Sequence, residues 1–218
     1  MAKERTTDTA HYFVGGFCSQ WFPSRFTAPL ERGGPEYDFC CCEQYQMAGK
    51  AHLMGDTAMV AKIVAIQAPG GNDSFFSLWG YPDRASQGKL ASGFREVPDK
   101  LKKMGREIKP WDQALWDAND MRIVFVGNFH KFTQNAGLLR RLIDLGDRII
   151  VEGASYDQRW GVGLDYADPR IEDPSNWRGH NKLGRVVKAV QGVVIELQNP
   201  GPTFDPFAWE PLHDSGVR

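Results

Sequence analysis

Long apolar runs are missing from this chain: nowhere do about 18 apolar residues follow one another, so no membrane-spanning helix is expected. The opening residues Met1-Ala2-Lys3-Glu4-Arg5-Thr6 lack the apolar stretch of a secretory signal, and the expected location is intracellular, cytoplasmic or nuclear. A dominant charge is missing too, with 26 Lys and Arg against 27 Asp and Glu for a formal net charge of -1. No global positive field draws nucleic acid to such a chain, so any contact of that kind has to be local. Cysteines number four, and three of them, Cys40, Cys41 and Cys42, are consecutive, which suits neither paired bridges nor Cys-x-x-Cys metal spacing. In extended backbone the middle thiol faces away from the other two, so these are read as reduced thiols. The histidines His11, His52, His130, His180 and His213 show no ligand spacing with one another. Neither a metal nor a cofactor is expected, and repeats and low-complexity tracts are absent.

What is present describes a compact globular chain: 42% hydrophobic and 24% charged residues in 218. The expected organisation is a flexible start over 1–10, one domain over 11–198 and a Pro-containing tail over 199–218, extended or loosely docked. Short runs over 11–17 and 36–42, bounded by Gly and Pro, read as strands. Helical patterns follow over 43–54 and 57–66, with Gly55-Asp56 closing the first and capping the second. Residues 67–93 read mainly as loop. Further helices are predicted over 97–105, 111–129 and 136–145, the second with Leu115, Trp116, Ile123 and Val126 on its apolar face. A buried strand over 148–152 and a last helix over 181–197 complete an α+β fold, a helix-dominated single domain with a few short strands.

Three groups of residues carry chemical potential. Glu43 and Lys50 are seven apart on one predicted helix, so a carboxylate and an amine share one wall, or else form a surface ion pair. The stretch Val151-Glu152-Gly153-Ala154-Ser155-Tyr156-Asp157-Gln158-Arg159-Trp160-Gly161-Val162-Gly163 leads from a strand into a loop with an acid, an indole and flexible glycines. Such a loop either faces a ligand or pins Trp160 in the core by a tight turn. Gly179-His180-Asn181-Lys182-Leu183-Gly184 opens the last helix, with Asn181 as an N-cap and the helix N-terminus as a place for phosphate.

The order and spacing of these groups resemble the NADAR, or YbiA-like, family. Its acid-containing helix start is similar to Cys42-Glu43-Gln44-Tyr45 leading to Ala48 and Lys50, with Gln44 where His is commoner. Its small-Asn-aromatic loop resembles Ser19-Gln20-Trp21, with Gln in place of Asn. Gly105-Arg106, Trp116, Lys131-Phe132-Thr133-Gln134-Asn135, Leu138-Leu139, Leu145-Gly146-Asp147, Asp157, Trp160-Gly161-Val162-Gly163 and Asn181-x-Leu183-Gly184 follow in the family's order. Residues 67–93 and 165–178 look longer than in compact members, and substrate choice is expected to reside there.

The resemblance implies N-glycosidase chemistry, since some members cleave early riboflavin-pathway intermediates and others remove ADP-ribose from guanine bases. It casts Glu43 as acid-base residue and Asp157 as a group that holds the ribose hydroxyls, orients the water, or merely caps its turn. Lys50 either forms a Schiff base with an opened ribose or pairs with phosphate or carboxylate. Arg106, Lys131 and the Asn181 helix start are expected at the pyrophosphate, and Trp160 or Trp21 at the adenine; Ser19, Gln20, Tyr45, Gly161 and Gly163 complete the ligand-binding set. ADP-ribose on a nucleobase is the favoured substrate, reached in DNA or RNA through local contacts, because Phe75-Phe76-Ser77-Leu78-Trp79-Gly80-Tyr81 offers aromatic rings to an exposed base or else packs its own loop. The alternatives are a riboflavin-intermediate glycosidase and a non-catalytic ADP-ribose or NAD-binding module.

Overall fold

The computed structural model describes residues 3–79, 92–198 and 203–211. In chain order its strands are β1 (Glu4–Thr6), β2 (Ala10–Phe13), β3 (Phe26–Pro29), β4 (Glu36–Phe39) and β5 (Ile149–Glu152). Its helices are α1 (Cys42–Leu53), α2 (Thr57–Val64), α3 (Asn72–Trp79), α4 (Glu96–Met104), α5 (Gln113–Thr133), α6 (Ala136–Ile143) and α7 (Lys182–Glu196). This is the expected α+β class, helix-dominated with few short strands. Among the described residues no helix is long and apolar enough to cross a membrane. Contacts divide the chain into two compact units, Gln20–Ile123 on one side and the residues up to Ser19 with those from Val124 onward on the other.

In the first unit β3 and β4 pair antiparallel, with Phe26 opposite Phe39. Their rings meet Tyr45 of α1, whose ring lies 5.1 Å from Phe39. Helix α1 starts without a side-chain cap from Cys41. Gln44 takes over: its Oε1 accepts from the Cys40 N–H at 2.9 Å, and its Nε2 donates to the Ile63 and Ile66 carbonyls at 2.8 and 2.9 Å. One fully buried amide thus ties the end of β4, the start of α1 and the end of α2. Asp56 accepts from the Met59 N–H at 3.0 Å and caps α2, as its position after Gly55 predicts. Helix α1 passes so close to α5 that a Cβ on Gly49 would lie 2.7 Å from Ile123 Cγ2.

In the second unit β2 runs parallel to β5 and antiparallel to β1. Helix α7 packs on β5 and buries Leu183, Val186, Val187, Val190 and Val194, the i, i+3, i+4 stripe of an amphipathic helix. Ala10, Tyr12, Val151, Val162, Leu164 and Ile171 form a core cluster of this unit. The first turn of α7 lies hard against β5, and a Cβ on Gly184 would be driven into the Ile150 carbonyl oxygen and within 2.5 Å of Asn181 Oδ1. Only glycine permits that approach.

One sequence expectation is corrected on α5. Leu115 is exposed, and the buried face instead runs through Trp116, Asp120, Val124, Asn128 and Lys131. That stripe mixes an acid, an amide and an amine with apolar residues, so a purely apolar periodicity misplaces it. Within the tail, expected to be extended or loosely docked, Trp209 stacks on Phe125 at 4.2 Å with the rings 3° apart, and Phe204 packs against Phe129 at 5.4 Å. Of the stretch 67–93 that reads mainly as loop, residues 80–91 lie outside the described residues, whereas 72–79 form α3.

Two stability predictions follow from this packing. Gly184→Ala is expected to lower unfolding free energy by about 3 kcal/mol, the upper range for overpacking, as read by urea denaturation. His11 is buried among Phe13 and Phe17. Burial, reinforced by the charges of Arg141 and Arg148, lowers its pKa to about 4. Because the unfolded imidazole titrates near its ordinary value, the unfolded chain gains the proton first as pH falls. The contribution of His11 to stability is therefore constant above about pH 6.5, falls by roughly 3 kcal/mol on descending to about pH 4 and changes no further below that, and His11→Asn should remove this part of the pH dependence in melts across that range.

Candidate active site

The first unit sets a carboxylate at the start of a helix. Glu43 lies in the first turn of α1, where the helix dipole favours a negative charge. It is only 6% exposed. Its Oε2 accepts a hydrogen bond from Trp21 Nε1 at 3.2 Å, and its backbone N–H donates to the Gln20 carbonyl at 2.9 Å. Gln20 in turn donates through Nε2 to Gln46 Oε1 at 3.1 Å. The Gln20-Trp21 loop is thus clamped on α1 by both backbone and side chain, and the indole fixes one carboxylate oxygen. Lys102 of α4 places its Nζ 5.8 Å from the Trp21 ring.

Lys50, two turns along α1, donates to the Gly105 carbonyl at 2.7 Å. Its Nζ stands 4.4 Å from the Trp111 ring and 5.5 Å from that of Trp116, contacts characteristic of a cation on aromatic faces. Trp111 is 43% exposed, whereas Trp116 is buried. Arg106 follows α4 and is exposed. Tyr45 corrects an expectation: it belongs to the core, its hydroxyl donates to the Pro29 carbonyl at 3.0 Å, and burial pushes its pKa up. Phe75 is likewise buried against Phe94, so it is not an exposed ring, and Gly80 and Tyr81 of the aromatic run lie outside the described residues.

The second unit organises the loop after β5. Asp157 Oδ1 accepts from the backbone N–H groups of Arg159 and Trp160 at 2.9 and 2.8 Å, a turn-capping arrangement. Trp160 is half-buried, with Lys182 Nζ 5.9 Å from its ring. Gly161 is there for packing, since a Cβ would lie 2.8 Å from the Glu152 carbonyl oxygen, and Gly163 has a positive φ of 71°. Asn181 sits at the cap position of α7 but does not cap it. In a left-handed conformation, it aims its side chain at β5: Nδ2 donates to the Ile150 carbonyl at 2.9 Å and Oδ1 accepts from the Glu152 N–H at 3.0 Å. The Asn181 and Leu183 N–H groups meet the Gly161 and Trp160 carbonyls, each at 3.1 Å. Main-chain carbonyls of the loop therefore take N–H groups that the sequence reading offers to phosphate.

Lys131 is fully buried on α5, with its Nζ donating to the Ser19 carbonyl at 3.0 Å, so it holds the backbone of the loop rather than an exposed anion site. Phe132 is core, as its apolar position suggests. All four cysteines are free and buried; burial pushes Cys18 up to about 12 and raises Cys41 well above its usual range, which keeps both thiols unreactive at neutral pH. Among the described residues no three His, Cys, Asp or Glu side chains are grouped to hold a metal ion. Sequence reasoning missed Gln46, Lys102 and Trp111. The signal available was weak: Gln46 lies three residues after Glu43 on the same helix, and Lys102 and Trp111 flank the Gly105-Arg106 motif.

The topology is shared with a solved structure, that of the E. coli protein YbiA determined by NMR. The match has a TM-score of 0.60 and covers 92% of this chain and 94% of that one, at 16% identity. The NADAR domain family model matches residues 81–193. N-glycosidase R617 of Acanthamoeba polyphaga mimivirus is 32% identical over 175 residues, covering 79% of this chain and 84% of the viral one. Protein irg-1 of Caenorhabditis elegans is 29% identical over 183 residues, covering 79% and 73%. The chain belongs to the NADAR domain family. The matched stretch includes Arg106, Lys131, Asp157, Trp160 and Asn181, whereas Ser19, Gln20, Trp21, Glu43 and Lys50 precede it.

The turn cap made by Asp157 can be read by stability alone. Asp157→Asn keeps an oxygen for both backbone donors and should unfold within about 0.5 kcal/mol of the parent, whereas Asp157→Ala should lose about 1 kcal/mol in urea denaturation.

Proposed function

We propose that the protein is a hydrolase of N-glycosyl bonds that removes ADP-ribose from a nucleobase, guanine in the first instance, inside the cell. The observation that carries this reading is the Glu43 carboxylate, withdrawn from bulk water at a helix start and held by the Trp21 indole. Support comes from the viral relative, which is named an N-glycosidase. Cleavage of such a bond passes through an oxocarbenium-like state, in which a nearby carboxylate offsets the charge growing at the anomeric carbon. A proton delivered to the departing base eases its release, and Glu43 is assigned to this acid-base work.

Asp157 is assigned to the ribose hydroxyls or the attacking water, using the oxygen not engaged in its turn. The choice of ADP-ribose over the smaller pyrimidine intermediates is supported by the Lys102 ammonium over the Trp21 indole and the Lys50 ammonium over the Trp111 indole, with an exposed Arg106 next in the chain to the Gly105 that Lys50 holds, a set suited to pyrophosphate and to stacked bases. A binding module without turnover would have no need of a buried carboxylate at this place.

The test incubates the protein with guanine-ADP-ribosylated oligonucleotide and follows release of ADP-ribose by mass spectrometry. Glu43→Gln keeps an oxygen for Trp21, so it should melt like the parent while turnover drops by about a hundredfold or more. Unchanged turnover in this variant removes Glu43 from the mechanism. Borohydride added during turnover tests Lys50: a reduced adduct identifies attack of its amine on the opened ribose, and no adduct removes the Schiff base and leaves Lys50 as a partner of phosphate or carboxylate.

A further inference from the structure

We propose that the end of α4 and the loop after it form a track for the phosphate backbone of a single-stranded nucleic acid. The base carrying ADP-ribose would then reach Glu43 as part of a strand and not as a free nucleotide. This rests on the hydrolase reading above and names its substrate form.

Residues 102–109 contain Lys102, Lys103, Arg106 and Lys109 against one acid, Glu107, in a chain whose net charge is -1. Lys103, Arg106 and Lys109 are exposed, and Lys102 is half-buried. Cations in the last turn of a helix complement its dipole, and Asp99 one turn earlier complements Lys103. Neither reason extends to Arg106 and Lys109, which lie beyond the end of α4.

The basic segment meets the candidate site in two places, and a third contact fixes its course. Lys102 stands over Trp21, whose indole holds Glu43. The Gly105 carbonyl accepts from Lys50. The Lys109 N–H donates to Asp56 Oδ2 at 3.0 Å, which fixes the path of the loop. Two residues further on, Trp111 presents an indole that is 43% exposed. A run of cations in the chain followed by an exposed indole has the composition of a single-strand site, where ammonium groups follow phosphates and a ring receives a base. A single strand also presents its bases unpaired, so a modified base enters a pocket at little unstacking cost.

The test uses the full chain and the double variant Lys103→Glu with Lys109→Glu, neither of which is assigned to the catalytic or ligand-binding set. Fluorescence anisotropy with a labelled single-stranded oligothymidylate should show binding to the parent that weakens with salt. The variant should bind about tenfold more weakly, with a salt slope lower by about one to two. Lys103→Gln with Lys109→Gln should lie between them, which separates charge loss from new repulsion or misfolding. On guanine-ADP-ribosylated oligonucleotide the charge-reversed variant should show a KM raised by a similar factor with kcat kept, while turnover of the ADP-ribosylated guanosine nucleoside stays at the parent's level. Equal oligothymidylate affinity in parent and variant overturns the track. So does an equal kcat/KM of the parent for oligonucleotide and nucleoside. Lack of turnover on both substrates overturns the hydrolase reading alone, and the anisotropy arm still decides the track.

Discussion

The second unit depends on main chain meeting main chain. The first turn of α7 lies on the Ile150 carbonyl, and Gly161 lies on the Glu152 carbonyl. At these places no side chain fits between the two backbones, and at the second the Val162 N–H donates directly to the Glu152 carbonyl at 3.0 Å. The Asn181 side chain completes the arrangement by bridging Ile150 and Glu152 as a further strand would, with one donor and one acceptor. The loop bearing Asp157 and Trp160 has its shape because of this seam.

This alters the meaning of the motifs. Trp160-Gly161-Val162-Gly163 and Asn181-x-Leu183-Gly184 read in sequence as a loop and helix start open to a ligand, since glycines and a helix N-terminus suit phosphate equally well. In the fold, Gly161 and Gly184 are required by packing, and the amides of Asn181 and Leu183 meet loop carbonyls. Composition cannot separate the two uses, because both demand an absent Cβ. The helices, by contrast, are legible: α1, α2, α4, α6 and α7 fall where periodicity and Gly, Asp or Pro punctuation place them. Leu115 and Tyr45 depart from the sequence pattern because burial depends on which neighbour arrives, and a chain-local pattern does not contain that neighbour.

The first unit follows a different principle. The start of α1 buries Glu43, Gln44 and Gln46 in succession, and each has a partner: an indole, a set of backbone groups and a second amide. Buried polar side chains so arranged hold one geometry, because any displacement leaves a donor or acceptor without water to replace its partner. That rigidity is what an acid-base residue requires, since proton transfer depends on position before it depends on acidity. Sequence resemblance singles out Glu43 as an isolated acid; the fold adds the framework that keeps it in place.

Gln44 gives this framework a further property. The family resemblance marks histidine as commoner at this place. A neutral imidazole has one donor and one acceptor, so it would match two of the three hydrogen bonds that the amide makes, and it would change character on gaining a proton. A carboxamide has no ionisable state over the biological range. The anchor next to Glu43 is therefore indifferent to acidification, and any pH response of this helix start must originate in its charged residues and not in the support beneath them.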